Sequence, residues 1–178
     1  IVVGVSRSST DEFKALQELN TGKLFYSYHD FSDCTGIHKL IKTITNEHGR
    51  IYGLVNNAAV GHDGVLATMH ESQISELIKV NVESPIVLTK YAVRSMLMNL
   101  RGRVVNIGSI IGSTGFNGLS VYGATKASLS GFTKSLAREV GKAKITVNTV
   151  APGYMQTAMT NGLGGSKLES IKRRSPLG

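Results

Sequence analysis

Three features of this 178-residue chain predict an open α/β fold built on parallel strands. Val104-Val105-Asn106-Ile107-Gly108-Ser109 is an apolar run ending in Gly-Ser, the pattern of a strand buried on both faces. Ile145 to Val150 is a second such run, closed by Ala151-Pro152-Gly153. Between them a helical pattern runs from about Val121 to Gly141, so strand, helix and strand alternate. Open parallel sheets bind ligands beyond the carboxyl ends of their strands. Tyr122 and Lys126, four residues apart, share one face of that helix. Ser109 stands 13 residues before Tyr122, at the end of the first of these strands. Serine, tyrosine, lysine and the Pro-Gly turn are therefore expected at one rim, as an active site would place them.

Taken in order, Ile1 to Val5 reads as a strand and Asp11 to Asn20 as an amphipathic helix stopped at Gly22. Lys23 to Tyr28 is the next strand. Cys34 to His48 is helical by the spacing of Ile37, Leu40, Ile41 and Ile44, and Gly49 ends it. Ile51 to Val55 is a further strand, followed by Asn56-Asn57-Ala58-Ala59. Gly61 to Thr68 is a loop and Glu71 to Val80 a helix leading to Asn81. A break is expected there, with Ser84 as cap and Pro85 in the first turn of a new helix through Leu97. Gly123, Ala127 and Gly131 recur at every fourth position and leave a small-residue face that lets a neighbour approach closely. The segment Asn161-Gly162-Leu163-Gly164-Gly165-Ser166 reads as a lid or a plain surface loop.

Composition narrows the function classes. Hydrophobic content of 41% and charged content of 18% are those of a globular protein. No apolar run approaches the roughly 20 residues needed to span a bilayer, so no membrane partner is expected. Cys34 stands alone and cannot form an internal disulfide, which fits a reducing, cytoplasmic setting. The five histidines show no metal-ligand spacing, and no metal site is expected. The formal charge of +8 is spread along the chain, with Lys172-Arg173-Arg174 the tightest group, and no motif organises it for nucleic acid. It reads as a solvated surface that attracts anionic substrates.

Asn56-Asn57-Ala58-Ala59, Asn81, Ser109, Tyr122-x-x-x-Lys126 and Pro152-Gly-x-x-x-Thr157 together resemble the short-chain dehydrogenases/reductases, closest in flavour to the 3-oxoacyl-acyl-carrier-protein reductases. The resemblance covers nearly the whole chain. It implies a Rossmann-like, doubly wound parallel sheet in three α/β/α layers, with residues 1–178 forming one partial dinucleotide-binding domain. In that family the strand at Ile1 would be the second. The first strand–turn–helix unit, with the glycine-rich turn for the cofactor pyrophosphate, is therefore expected to be missing, as is the last strand beyond residue 178. The chain also departs from the family where Asn-Asn-Ala-Gly reads Asn-Asn-Ala-Ala. If Ala59 required a positive φ, its methyl group would cost about 1 kcal/mol or more.

The resemblance also assigns roles. An NAD-specific fold places an acidic residue after its second strand, and none precedes Asp11 here. Arg7 would instead attract a 2′-phosphate, favouring NADP(H), unless it is only an exposed loop arginine. Asp30 would accept from the adenine amino group with Phe31 packing nearby, or Asp30 would cap a helix. Asn57, Ala58 and Ala59 would line the cofactor channel, as would Pro152, Gly153, Met155 and Thr157. Asn81 would hold a water in a proton path, and a homo-oligomer, dimer or tetramer, is implied.

A lysine ammonium ~4 Å from a phenolate supplies about 4 kcal/mol at an effective dielectric of 20, up to roughly three pKa units before desolvation acts against it, and with the cofactor's positive nicotinamide it would bring Tyr122 into range. Tyr122 would then be the general acid of carbonyl reduction, with Ser109 hydrogen-bonding the substrate oxygen and Lys126 also holding the nicotinamide ribose. The reading is an NADP-dependent reductase of a 3-oxoacyl thioester in fatty acid biosynthesis. If the substrate rides on an acyl carrier protein, Arg101, Arg103, Lys142 and Lys144 are either docking charges for it or solvated helix and strand ends. Alternatives are a reductase of another alcohol or ketone, such as a steroid or sugar, and a non-catalytic binding subunit of the same fold.

Overall fold

The apolar runs form strands where the sequence places them. In the computed structural model, which describes residues 1–155, 157 and 169, β1 (Val2–Ser6) pairs in parallel with β2 (Leu24–Tyr28). A second parallel sheet has the order β3 (Gly53–Asn56), β4 (Gly102–Ile107), β5 (Ile145–Val150). Val104 lies opposite Leu54 on one side and Val147 on the other, so β4 is paired on both edges. The helices are α1 (Asp11–Leu19), α2 (Ile37–His48), α3 (Glu71–Ile78), α4 (Ser84–Leu97), α5 (Ile111–Thr114) and α6 (Ser120–Val140). No helix among the described residues is long and apolar enough to cross a membrane.

Alternation along the strands decides which helix covers which face. Val104, Ile145 and Val147 point into a core with Ala92, Val93 and Met96 of α4 and Leu136 and Val140 of α6. Gly102 is part of this contact, since a Cβ there would lie 2.4 Å from Met96 Sδ. Ile37, Leu40 and Ile41 of α2 join Leu88 of α4, with Val5 and Leu54 packed against them, so α2 reaches both sheets. Gly4, next to Val5, faces the other way. A Cβ on it would meet Phe13 Cε2 at 2.6 Å, which places α1 on the face opposite α2. Helices thus lie on both sides of β1, as a doubly wound α/β fold requires.

The expected single sheet is divided. β1 and β3 flank a channel of about 1000 Å³, lined by Val2, Gly4 and Ser6 on one side and Gly53, Val55 and Asn57 on the other. Val2 and Val55 are 63% and 61% exposed, unusual for valines in parallel strands. The division falls where the resemblance places the first strand, between the second and the fourth.

Local departures have local causes. The segment from Cys34 to Gly36 is not helical, because the Asp33 carboxylate accepts from Thr35 N at 2.9 Å and Thr35 Oγ1 at 2.6 Å and holds a turn, so α2 starts at Ile37. The expected break at Asn81 is a π-helical turn, Lys79–Glu83, which joins α3 to α4 without leaving the helix. Ser84 is therefore helical, not a cap; it is 1% exposed and its Oγ has no partner among the described residues. The wide turn sets Pro85 at the start of α4, where its missing N–H is tolerated. Ala59 is not among the residues of positive φ, so its methyl carries no left-handed strain. The Gly/Ser/Thr-rich stretch between Ser109 and Tyr122 contains α5. The segment 161–166 and the chain end lie outside the described residues.

Candidate active site

The rim of the second sheet brings the chemical residues together. Ser109 follows β4, and its neighbour Ile110 donates from its backbone N to the carbonyl of Pro152, 3.0 Å away, so the Pro-Gly turn after β5 docks beside it. Gly108 allows this approach: a Cβ there would sit 2.9 Å from Thr149 Cγ2. Ser109 Oγ accepts from Ile111 N at 3.2 Å, which starts α5. Gly112 then packs so closely on α6 that a Cβ would lie 2.8 Å from Ala127 N. The small-residue face of α6 is thus met in part by α5, while Gly131 has open space around it.

Tyr122 and Lys126 share a face of α6, with Lys126 Nζ 5.7 Å from the centre of the Tyr122 ring. Lys126 is 4% exposed, and its ammonium donates to the carbonyl of Ile107, the last residue of β4, at 2.8 Å. Burial pushes the lysine down from its ordinary pKa range. Burial also pushes the Tyr122 phenol up, and a hydrogen bond with Ser109 pulls it partly back. Among the protein groups alone, desolvation of the phenol outweighs the Ser109 hydrogen bond, and Lys126 keeps two further N–H donors beside the ring after bonding the Ile107 carbonyl. Tyr122 rests protonated at neutral pH, the form a proton donor needs.

Asn81 is 1% exposed on the π turn. Its Oδ1 accepts from Val60 N and its Nδ2 donates to Val60 O, both at 2.9 Å. Nδ2 also reaches Thr125 Oγ1 at 3.3 Å. The side-chain amide is thus engaged by protein.

Below the rim, Asn56 Nδ2 donates to Thr89 Oγ1 at 2.8 Å and to Asn106 Oδ1 at 2.7 Å. Asn106 Nδ2 donates to Thr133 Oγ1 at 2.8 Å, which lies 2.7 Å from Thr149 Oγ1. This chain ties β3, β4 and β5 to α4 and α6 just beneath Ser109. Sequence reading singled out neither Asn106, Thr133, Thr149 nor Thr125; an asparagine inside an apolar strand was the signal for the first.

The cofactor candidates gather at the first sheet. Arg7, Asp30, Phe31, Ala58 and Ala59 line one cleft of about 190 Å³, with Ser6, His29, Ser32 and Glu76. Asp30 Oδ1 accepts from Ser32 N at 2.9 Å. Hydrogen bonds from Ser32, then the nearby Arg7 charge, hold its carboxyl below the usual range. Arg7 is exposed. Asn57 lines the channel beside β3, and its N donates to Val55 O at 3.1 Å. Gly153, Met155 and Thr157 are described; Met155 is 54% exposed.

Arg101, Arg103, Lys142 and Lys144 are not at this rim. They stand at the amino ends of β4 and β5, six-residue strands that carry them ~20 Å from Ser109. There Arg101 and Arg103 lie 5.9 and 5.8 Å from the Tyr52 ring, and Arg103 Nη1 donates to the carbonyls of Gly102 and Lys144. They stand at strand and helix ends, as one of the two readings of these charges has it.

A parallel α/β sheet with Ser, Tyr and Lys at its carboxyl rim belongs to a known class, and the chain is a member of it: residues 1–167 match the family model described as short chain dehydrogenase. Among curated relatives, the 3-oxoacyl-[acyl-carrier-protein] reductase FabG of Vibrio cholerae is 40% identical over 142 residues, 80% of this chain and 58% of the relative. Carbonyl reductase family member 4 of Xenopus tropicalis is 44% identical over 149 residues, 84% of this chain and 62% of the relative. A short-chain dehydrogenase structure from Streptomyces avermitilis superposes with a TM-score of 0.82 at 31% identity, over 88% of this chain and 57% of that one. The chain spans about three fifths of the length of the curated relatives it matches.

Proposed function

We propose that the protein reduces a ketone to a secondary alcohol with NADP(H), its substrate a 3-oxoacyl thioester. The observation that carries the reading is the cluster of Ser109, Tyr122 and Lys126 at the carboxyl rim of β4. Support for the substrate class comes from the two relatives, one named for 3-oxoacyl-carrier reduction and one for carbonyl reduction. A dinucleotide fits the residues present at both ends: a cleft with an arginine and a carboxylate for the adenosine half, and Tyr122 and Lys126 for the nicotinamide half. Residues 1–178 act here as part of one dinucleotide-binding domain.

Ser109 donates to the carbonyl oxygen and orients it toward the Tyr122 phenol. The bound cofactor supplies the hydride to the carbonyl carbon. Tyr122 transfers its phenolic proton to the oxygen, which becomes the hydroxyl of the product. A phenol raised by burial holds its proton until negative charge develops on the substrate oxygen. Lys126 steadies the resulting phenolate, and Asn81 keeps the loop at Val60 beside it. Arg7 selects the 2′-phosphate. An acyl carrier would approach from the carboxyl rim, the protein acting as a cytoplasmic homo-oligomer in fatty acid synthesis.

The test is spectrophotometric. Full-length protein supplied with a 3-oxoacyl thioester should oxidise NADPH in preference to NADH and yield the 3-hydroxyacyl thioester. Consumption of neither nucleotide would contradict the reading.

A further inference from the structure

The loop after β3 and the helix that carries Tyr122 are separate in sequence, yet a single run of hydrogen bonds joins them. Val60 ends the Asn57–Val60 segment, whose Ala58, Ala59 and Val60 line the cleft with Arg7 and Asp30. Both backbone groups of Val60 are clamped by the Asn81 amide at 2.9 Å, as a neighbouring strand would clamp them. Asn81 Nδ2 reaches Thr125 Oγ1 at 3.3 Å, and Thr125 Oγ1 donates its one proton to the Tyr122 carbonyl at 2.7 Å. With the proton committed to Tyr122, the lone pairs of Thr125 are left to accept from Asn81. Asn81 and Thr125 are each 1% exposed, so no water competes for these bonds. The π turn is what projects Asn81 far enough sideways to bridge a loop and a second helix, a use such turns often have.

We propose that Thr125 is a positioning residue that fixes Tyr122 relative to the cleft loop, by closing the bridge Val60–Asn81–Thr125–Tyr122. A threonine inside a helix commonly bonds a carbonyl one turn back, and that habit alone accounts for the bond to Tyr122. It does not account for a buried amide aimed at the same hydroxyl from another helix. The consequence is mechanical. A shift of the Asn57–Val60 segment is passed through Asn81 to the turn of α6 that bears the proton donor, so the two halves of the site hold one geometry. Misplacing a reacting group by about 1 Å can cost ~100-fold in rate, which sets the scale of the effect.

The inference rests on the reading of Tyr122 as proton donor, and the experiment separates the two. Thr125→Val keeps the volume and removes the hydroxyl, and Thr125→Ser keeps the hydroxyl; both are made in the full-length protein beside Tyr122→Phe. Thr125→Val should lower kcat by about tenfold or more with KM and NADPH affinity within about twofold, while Thr125→Ser stays within about threefold of the parent. A merely structural role would lower the melting temperature and leave kcat per folded molecule unchanged. Parental kcat in Thr125→Val, or Thr125→Ser as slow as Thr125→Val, overturns the proposal. An active Tyr122→Phe overturns the reading beneath it instead. Should Thr125→Val yield no folded protein, Thr125→Cys is measured the same way: a reduced kcat supports the bridge and a parental kcat overturns it.

Discussion

β1 and β4 are both short parallel strands with helices packed on them, yet their surroundings differ. β4 is paired along both edges, and its Asn106 is 0% exposed and bonded to Asn56 and to Thr133. β1 is paired only with β2 among the described residues, and Val2 lies open on the channel. Two buried polar atoms on that channel's wall, Asn56 Oδ1 and Ser84 Oγ, have no partner among the described residues. Unsatisfied buried groups are uncommon because each costs about 1–3 kcal/mol. The proton-transfer half of the site is thus assembled within these residues. The half that would hold the cofactor phosphates faces an open gap.

That contrast is broken most severely by asking the chain to bind cofactor alone. Residues 1–178 should bind NADPH at least about 100-fold more weakly than a chain whose channel is filled by a strand and its phosphate-binding turn, because several bonds of about 1.5–3 kcal/mol each to a charged group are lost. Calorimetric titration checks it. Equal affinities would show that the gap is irrelevant to binding.

The finished side is tested through its polar core. Asn106→Ala removes the bonds to Asn56 and Thr133 and leaves each of those buried groups one bond short, so it should cost about 2–4 kcal/mol in urea unfolding. A change below about 0.5 kcal/mol would mean that the apolar contacts of β4 hold the rim unaided.

On the open side, Arg7→Asp should weaken NADPH binding by a charge-assisted contact of about 1.5–3 kcal/mol and shift preference toward NADH. Fluorescence titration of both nucleotides reads it. Unchanged preference would make Arg7 a loop residue only.

Much of this was legible in the chain itself. β5 spans Ile145–Val150 as its apolar run predicts, and α6 starts within a residue of expectation, because alternation and helical spacing are local properties. Ser109 and the Tyr122/Lys126 pair could be placed at a rim by topology alone. What escaped is tertiary. The sign of the Tyr122 shift depends on how deeply the phenol is buried, and Lys126 finds the Ile107 carbonyl only once β4 lies beneath α6. The π turn needed Asn81 to find Val60 across 21 residues.

The central claim is that Tyr122 gives up the proton in carbonyl reduction, and Tyr122→Phe in the full-length protein tests it most directly. The variant removes one hydroxyl and little packing. Steady-state reduction of the 3-oxoacyl thioester should fall by about 100-fold or more while NADPH affinity stays within about twofold. Retention of more than about a tenth of the parental rate would contradict the account, since a general acid contributes at least about 100-fold.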